Sequence, residues 1–254
     1  METLRACADE VGNAVQSGRH RGLSGRRDSQ YHLDVVADEV ALRVLLGAGL
    51  RVVSEESGTT GYGDITVVVD PIDGSTNCDH GVPFYATSLA AVANGEVIAA
   101  VVKNQATGTV FAAESGSGAW RDNQAVKHSG RTQLSQAIVS FSGLPDRHLG
   151  WSQFRSLGAA SLEICLVADG SIDAFTVAGS SVLSPWDYLG GLLISMEAGA
   201  VVSEMDGFPL VVLDRSVRRP LICATHELLV ALQSVSPEVF QSQAGTEMHT
   251  EIRN

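Results

Sequence analysis

The residues with the strongest claim to chemistry are Asp70-Pro71-Ile72-Asp73-Gly74-Ser75-Thr76-Asn77, which follow the apolar run Ile65-Thr66-Val67-Val68-Val69. A β-branched run of this kind reads as a buried strand. Its end delivers two carboxylates three positions apart into a glycine- and hydroxyl-rich turn. A further acidic pair, Glu55-Glu56, closes the preceding short strand, Leu50 to Ser54. Pro71 favours a turn between Asp70 and Asp73, which would let both side chains converge with the Ile72 carbonyl as an extra oxygen donor. Few carboxylates and no softer ligand is the pattern of magnesium held beside a phosphate. Two such ions can activate a water and stabilise the leaving oxygen of an in-line displacement. The same spacing also suits a turn in which both aspartates cap backbone amides.

Gly74-Ser75-Thr76 reads as the start of a short helix whose free N–H groups could bind an anion, with Gly74 allowing close backbone approach and the Ser75 hydroxyl orienting a water. An ordinary helix cap would use the same residues. Farther along, Ser184-Pro185-Trp186-Asp187 has the form of a helix N-terminus with proline in its first turn. On spacing alone Asp187 is an acid that complements the helix dipole.

The elements that must position these residues follow from periodicity. Apolar spacing predicts helices over 2–17 and around Val36 to Leu45, the second ended by Gly47 and Gly49. Residues 18–30, rich in Gly, Arg and Ser, read as a mobile loop. From Thr87 to Lys127 the pattern is all β, with hairpin signals at Asn94-Gly95 and Thr107-Gly108. A strand over Ala137–Phe141 precedes Gly143-Leu144-Pro145, the best candidate for a boundary between lobes. Then come a helix at 158–169, a strand at 172–177, a helix at 185–198, strands at 200–204 and 220–224, and a helix at 225–234. The expectation is an α+β lobe over 1–144, an α/β lobe over 145–235 and a frayed tail over 236–254.

Composition narrows the function classes. Hydrophobic residues make up 44% and charged residues 18% of the 254, ordinary for a globular protein. No apolar stretch is long enough for a bilayer, and the N-terminus lacks a basic-then-apolar leader, so no membrane partner and a cytoplasmic location are expected. The four cysteines have no CxxC spacing. A formal net charge of −12 disfavours nucleic acid and would repel a phosphate ester unless bound cations reversed the local sign.

Taken together the motifs resemble the inositol monophosphatase family within the lithium-sensitive, magnesium-dependent phosphatase superfamily. The resemblance rests on Ser54-Glu55-Glu56-Ser57, on Asp70 to Asn77 continued by His80-Gly81-Val82-Pro83-Phe84, on Arg155-Ser156-Leu157-Gly158-Ala159-Ala160, and on Trp186-Asp187. Cys165 to Gly170 and Asp173-Ala174-Phe175 also fit, and the similarity runs from about residue 34 to 234. It implies a layered αβαβα sandwich and hydrolysis of a small phosphorylated alcohol, with inositol monophosphate the nearest analogy. A sugar, histidinol, cyclitol or nucleoside phosphate is the alternative substrate, and a member that binds metal or phosphate without turnover is the alternative role. By the resemblance, Glu55, Asp70, the Ile72 carbonyl, Asp73 and Asp187 hold two to three magnesium ions. Glu55 and Ser75 orient the attacking water with support from Asp38. Asp73, Gly74, Ser75 and Thr76 meet the phosphate side of the substrate, and Gly158, Ala159 and Ala160 face its alcohol. Lithium inhibition and a homodimer are implied in the same way.

Two departures bear on those roles. The family's Asp-x-x-Thr-x-x-Asp pattern on the second helix is reduced to Asp38, because His32 and Val35 replace the earlier Asp and Thr; Asp34 reads as a cap. Inositol-specific members carry a Glu seven positions before the last metal-binding Asp, where this chain has Ser180.

Overall fold

The computed structural model describes residues 1–17, 22–26 and 30–235. The predicted tail over 236–254 and seven positions of the predicted loop over 18–30 lie outside those residues. Two helices open the chain, α1 (Glu2–Ser17) and α2 (His32–Gly47), as their apolar spacing requires. Eight strands follow: β1 (Arg51–Ser54), β2 (Gly58–Thr60), β3 (Thr66–Asp73), β4 (Ala86–Ala93), β5 (Glu96–Asn104), β6 (Val110–Glu114), β7 (Ala119–Arg121) and β8 (Gln124–Ala125). A short helix, α3 (Ser75–His80), interrupts them directly after β3. They form one sheet in the order β2-β1-β3-β4-β5-β6-β7-β8, in which β1 and β3 pair in parallel and every other pair is antiparallel. Asn94 and Gly95 between β4 and β5 both adopt positive φ, 53° and 80°, as a tight right-twisted hairpin demands.

The second half supplies β9 (Ile138–Ser142), β10 (Gln153–Arg155), α4 (Ala160–Ala168), β11 (Ala174–Val177), α5 (Pro185–Glu197), β12 (Val201–Glu204), β13 (Pro220–Cys223) and α6 (His226–Val235). Its strands build a second sheet in the order β10-β9-β11-β13-β12. The strand expected just before the lobe boundary is β9, and it pairs with β10 and β11 in this second sheet. The chain therefore changes sheets over 126–137, ahead of Gly143.

The layers follow from which side chains share a core. On β3, Val67 and Val69 pack with Leu4, Val11 and Leu45 of α1 and α2, whereas Val68 faces the opposite core with Leu162, Leu189 and Ile194 of α4 and α5. A strand covered on both faces has no polar side to show, which is why it reads as a continuous apolar run. On the far side of the second sheet, Val139 and Leu221 pack with Leu228 and Leu232 of α6. Helices, sheet, helices, sheet, helix is the αβαβα sandwich.

The first departure from expectation lies at the motif. No turn separates Asp70 from Asp73; β3 runs through both, with a register shift in its pairing to β4. Asp70 stands opposite Ser88 and Asp73 opposite Ala86, so three steps on β3 match two on β4. Side chains two apart on β4 share a face, and so do their cross-strand partners. The bulge therefore puts both carboxylates on the α5 side, where regular alternation would have split them.

Helix α5 fills the space between the sheets only because it carries two glycines at its closest approach. A Cβ on Gly191 would come within 2.7 Å and 2.8 Å of Ile164 side-chain atoms on α4 and 3.0 Å of the Ser161 carbonyl. An isolated helix gains about 1 kcal/mol from Gly→Ala; overpacking a core costs about 1–3 kcal/mol. Gly191→Ala is accordingly expected to lower stability in urea denaturation by about 1–2 kcal/mol, against its helix propensity. A more stable variant would mean that the two helices part without cost.

Candidate active site

Four acidic residues reach one region by three backbone devices. Glu55 follows β1, and its N–H donates to the Val69 carbonyl at 3.2 Å, which continues the parallel pairing of β1 with β3 and sets Glu55 alongside Asp70. The two carboxyl groups share a hydrogen bond. Asp73 is brought round by the bulge. Its Oδ1 accepts the Ala160 N–H at 3.2 Å, and its Oδ2 accepts the Ser161 N–H at 2.7 Å and hydroxyl at 2.5 Å. Asp187 sits in the first turn of α5 and accepts the Ser184 N–H at 2.7 Å, forming a capping box with Ser184.

Crowding governs the charge of this group. Burial pushes the Glu55 carboxyl from 4.5 to about 7; Glu56 and then Asp34 and Asp73 add to the effect, while the bond to Asp70 opposes it. Burial also holds Asp73 at about 7 against the opposing pull of the Ser161 hydroxyl and amide. Asp70 and Asp187 are driven well above the carboxylate range, first by burial and then by each other's neighbours: Glu55, Asp73 and Asp187 act on Asp70, and Asp73 and Glu55 on Asp187. One oxygen, Asp70 Oδ1, is buried with no hydrogen-bond partner.

That donor set suits a hard divalent cation: all the donors are oxygens, anionic when deprotonated and mutually repelling, and one buried atom lacks a partner. As placed here they are not a finished shell. Among the described residues no three acidic, histidine or cysteine side chains surround a common point closely enough to hold an ion. Asp73 and Asp187 each accept backbone amides here, and their remaining lone pairs are the ones left for an ion.

Beside the cluster lies a cavity of about 220 Å³ whose wall includes Asp73, Asp187, Gly158, Ala159 and Ala160. Phe141, Ser142, Ser156, Glu163 and Leu183 complete most of the remainder. The loop over 157–159 keeps its shape through two side chains. Asn77, on α3, donates to the Phe84 and Leu157 carbonyls at 2.8 Å and 2.7 Å. Glu163, buried on α4, accepts the Gly158 N–H at 3.0 Å and the Ser140 hydroxyl. Gly74 is doubly constrained: its φ is 87°, and a Cβ there would stand 2.9 Å from the Gly158 carbonyl.

The remaining expected residues fall around this centre. Ser75 donates its hydroxyl to the Ile72 carbonyl at 2.8 Å, and Thr76 Oγ1 lies 3.3 Å from the Tyr31 hydroxyl. Asp38 accepts from Ser54 and Ser57 at 2.5 Å and 3.2 Å, on either side of Glu55-Glu56 in the sequence. Asp34 caps α2 as expected, but from its third position, reaching back to the Tyr31 N–H at 2.8 Å. His80 is exposed at the end of α3, and Ser180 lies in a turn outside the cavity wall. Ser161 and Glu163 are not among the residues expected from sequence, and Asn77 belongs to the expected motif but with no role assigned to it. An acid in the first turn of α4 was the available signal for Glu163; for the hydroxyl of Ser161 there was none.

Fold and site together define a layered αβαβα sandwich with a buried acidic cluster. The inositol monophosphatase family profile matches residues 2–238. A fructose-1,6-bisphosphatase/inositol-1-monophosphatase of Archaeoglobus fulgidus is 37% identical over 179 residues, 68% of this chain and 69% of that protein. An inositol-1-monophosphatase of Mesorhizobium japonicum is 36% identical over 157 residues, 55% of this chain and little more than half, 57%, of its own length. The crystal structure of the extragenic suppressor protein suhB from Bartonella henselae superimposes with a TM-score of 0.80 at 25% identity, covering 94% of this chain and 98% of that one. The chain belongs to the inositol monophosphatase family, and the chemistry of that family is phosphatase chemistry.

Two expectations follow from the site as it stands. Carboxyls whose folded pKa lies above the unfolded value bind more protons in the native state. Stability of the metal-free protein therefore falls as pH rises from 4.5 through about 7, where Glu55 and Asp73 lose their protons, and it does not recover above that, because Asp70 and Asp187 are raised in the same direction. Thermal denaturation in the presence of a chelator should show this decline; a midpoint that climbs across the same window would contradict the crowded cluster. Gly74→Ala, strained in both backbone and contact, should cost roughly 1–3 kcal/mol in urea denaturation.

Proposed function

We propose that the chain is a magnesium-dependent phosphomonoesterase of a small phosphorylated alcohol, with inositol monophosphate as the nearest substrate type. The observation that carries the reading is the convergence of Glu55, Asp70, Asp73 and Asp187, with Asp70 Oδ1 buried and unpartnered. Those four side chains and the Ile72 carbonyl would hold the cations. When bound, magnesium supplies Lewis-acid charge to the phosphoryl oxygens and acidifies a water.

The chain's own groups have the complementary tasks. Glu55 accepts a proton from the attacking water. Ser75, whose hydrogen is committed to the Ile72 carbonyl, has lone pairs left to orient that water. The first amides of α3 face the phosphate, and the Gly158–Ala160 loop meets the alcohol. Among the described residues of the cavity wall the charged ones are Asp73, Glu163 and Asp187, with no lysine or arginine, which supports an uncharged alcohol over one bearing a second phosphate.

The test is phosphate release from myo-inositol 1-phosphate, a hexose monophosphate, a nucleoside monophosphate and fructose 1,6-bisphosphate, with and without magnesium. Turnover of at least one monoester that disappears with chelator is expected. Folded protein inert on the whole panel would contradict the proposal. Asp73→Asn should lower turnover by at least about 100-fold while leaving the circular dichroism unchanged; near-normal turnover would remove Asp73 from the mechanism.

A further inference from the structure

Arg215 lies in the segment over 205–219 that joins β12 to β13, and it reaches from the second sheet to the first. Its Nη2 donates to the Glu55 carbonyl at 2.9 Å, across 160 positions of sequence. Its guanidinium carbon stands 5.2 Å from the centroid of the Trp186 ring. Glu55 enters the acidic cluster from β1, and Trp186 immediately precedes Asp187, which enters it from α5. One planar group thus touches the backbone of one cluster residue and the neighbour of another. Because the contact is with a carbonyl and a ring, and not with a carboxylate, it acts on position more than on charge.

The support is rigid enough for such a task. The Glu204 carboxylate accepts the N–H groups of Asp206, Phe208 and Arg219 at 2.8, 3.0 and 2.9 Å. Tyr188, buried on α5, donates its hydroxyl to the Leu210 carbonyl at 2.6 Å, and Leu210, Val211 and Leu213 pack on the core between the sheets. The segment is tied down on both sides of Arg215, and the planar fork of an arginine can stack and donate at once where a lysine ammonium cannot.

We propose that Arg215 is a positioning residue, an inter-sheet clasp that sets the separation of Glu55 and Asp187 and through it the affinity of the cluster for a divalent cation. The proposal rests on the metal-dependent reading given above. Calorimetric titration of magnesium and of manganese into the full chain tests it, comparing wild type, Arg215→Ala, Arg215→Lys and Arg218→Ala. Arg218 serves as the control because it stacks on Phe208 and donates to the Pro209 carbonyl in the same segment without touching Glu55.

One exposed charged hydrogen bond and one stacked guanidinium predict a midpoint about three- to tenfold weaker for Arg215→Ala. Arg215→Lys should recover less than half of that loss, and Arg218→Ala should match wild type. At saturating magnesium the KM of Arg215→Ala for a monoester should equal that of wild type, since Arg215 does not line the cavity. A midpoint for Arg215→Ala equal to wild type overturns the clasp, as does an equal weakening by Arg218→Ala. If wild type itself binds neither cation, the metal-dependent reading fails and the clasp fails with it, so the two failures are told apart by the wild-type titration.

Discussion

The constraint on which the rest depends is repulsion among carboxylates that cannot move apart. Parallel pairing of β1 with β3 puts Glu55 next to Asp70, the bulge in β3 puts Asp73 on the same side, and the cap of α5 holds Asp187 against them. Each of these devices stabilises the backbone in its own right, so the anions are placed by structure that has other reasons to persist. The interior offers little dielectric screening, which magnifies like-charge repulsion and raises the cost of ionising any one of them. The fold thereby favours positive charge at this point, and in the metal-free protein protons supply it as the pH falls. With a formal net charge of −12 on the whole chain, no excess of basic side chains is at hand to supply it.

Asp73 shows how closely site and scaffold are joined. Its two oxygens take three donors from the start of α4, and those donors belong to the residues that follow the Gly158–Ala159 loop. Bonds from a charged acceptor contribute about 1.5–3 kcal/mol each, more than the small side chains of that loop could gain by packing. The loop is therefore shaped chiefly by polar anchors: Asp73 at its end, Glu163 beneath its amides and Asn77 on the Leu157 carbonyl. Any movement of Asp73 toward a ligand of its own must draw on the same bonds, which couples the acidic cluster to the wall that the alcohol would meet.

The layered fold was legible because its signals are local. The Asn94-Gly95 hairpin, the β-branched run into Asp70 and the apolar period of the first helix all fall within a single window of sequence. The bulge was not legible: an acid at i+3 after a strand looks the same whether the chain turns or slips its register, and only the partner strand decides. The sheet change ahead of Gly143 was hidden for a similar reason, since pairing of β9 with β11 joins residues more than thirty positions apart. Ser161 and Arg215 belong to the same class. Their partners, Asp73 and Glu55, lie 88 and 160 positions away, and no periodicity reaches that far. Asp187 is the instructive intermediate, because the cap inferred from its spacing and the clustering implied by family resemblance are both present in one side chain.

On the proposed function, substrate choice would be decided away from the carboxylates, in the wall of the neighbouring cavity. In this cavity Glu163 contributes charge to the wall but little recognition, because its oxygens are already engaged by the Gly158 amide and the Ser140 hydroxyl. Phe141, Leu183, Ala159 and Ala160 supply apolar surface. The hydroxyls of Ser142 and Ser156 have no protein partner among the described residues and are free to meet an alcohol's own hydroxyls. Neutral groups of this kind discriminate by shape and by unpaired hydrogen bonds more than by charge. Such a wall, part apolar and part hydroxyl-bearing, is compatible with the uncharged alcohol of the proposed function, while the anionic charge is concentrated in the neighbouring cluster.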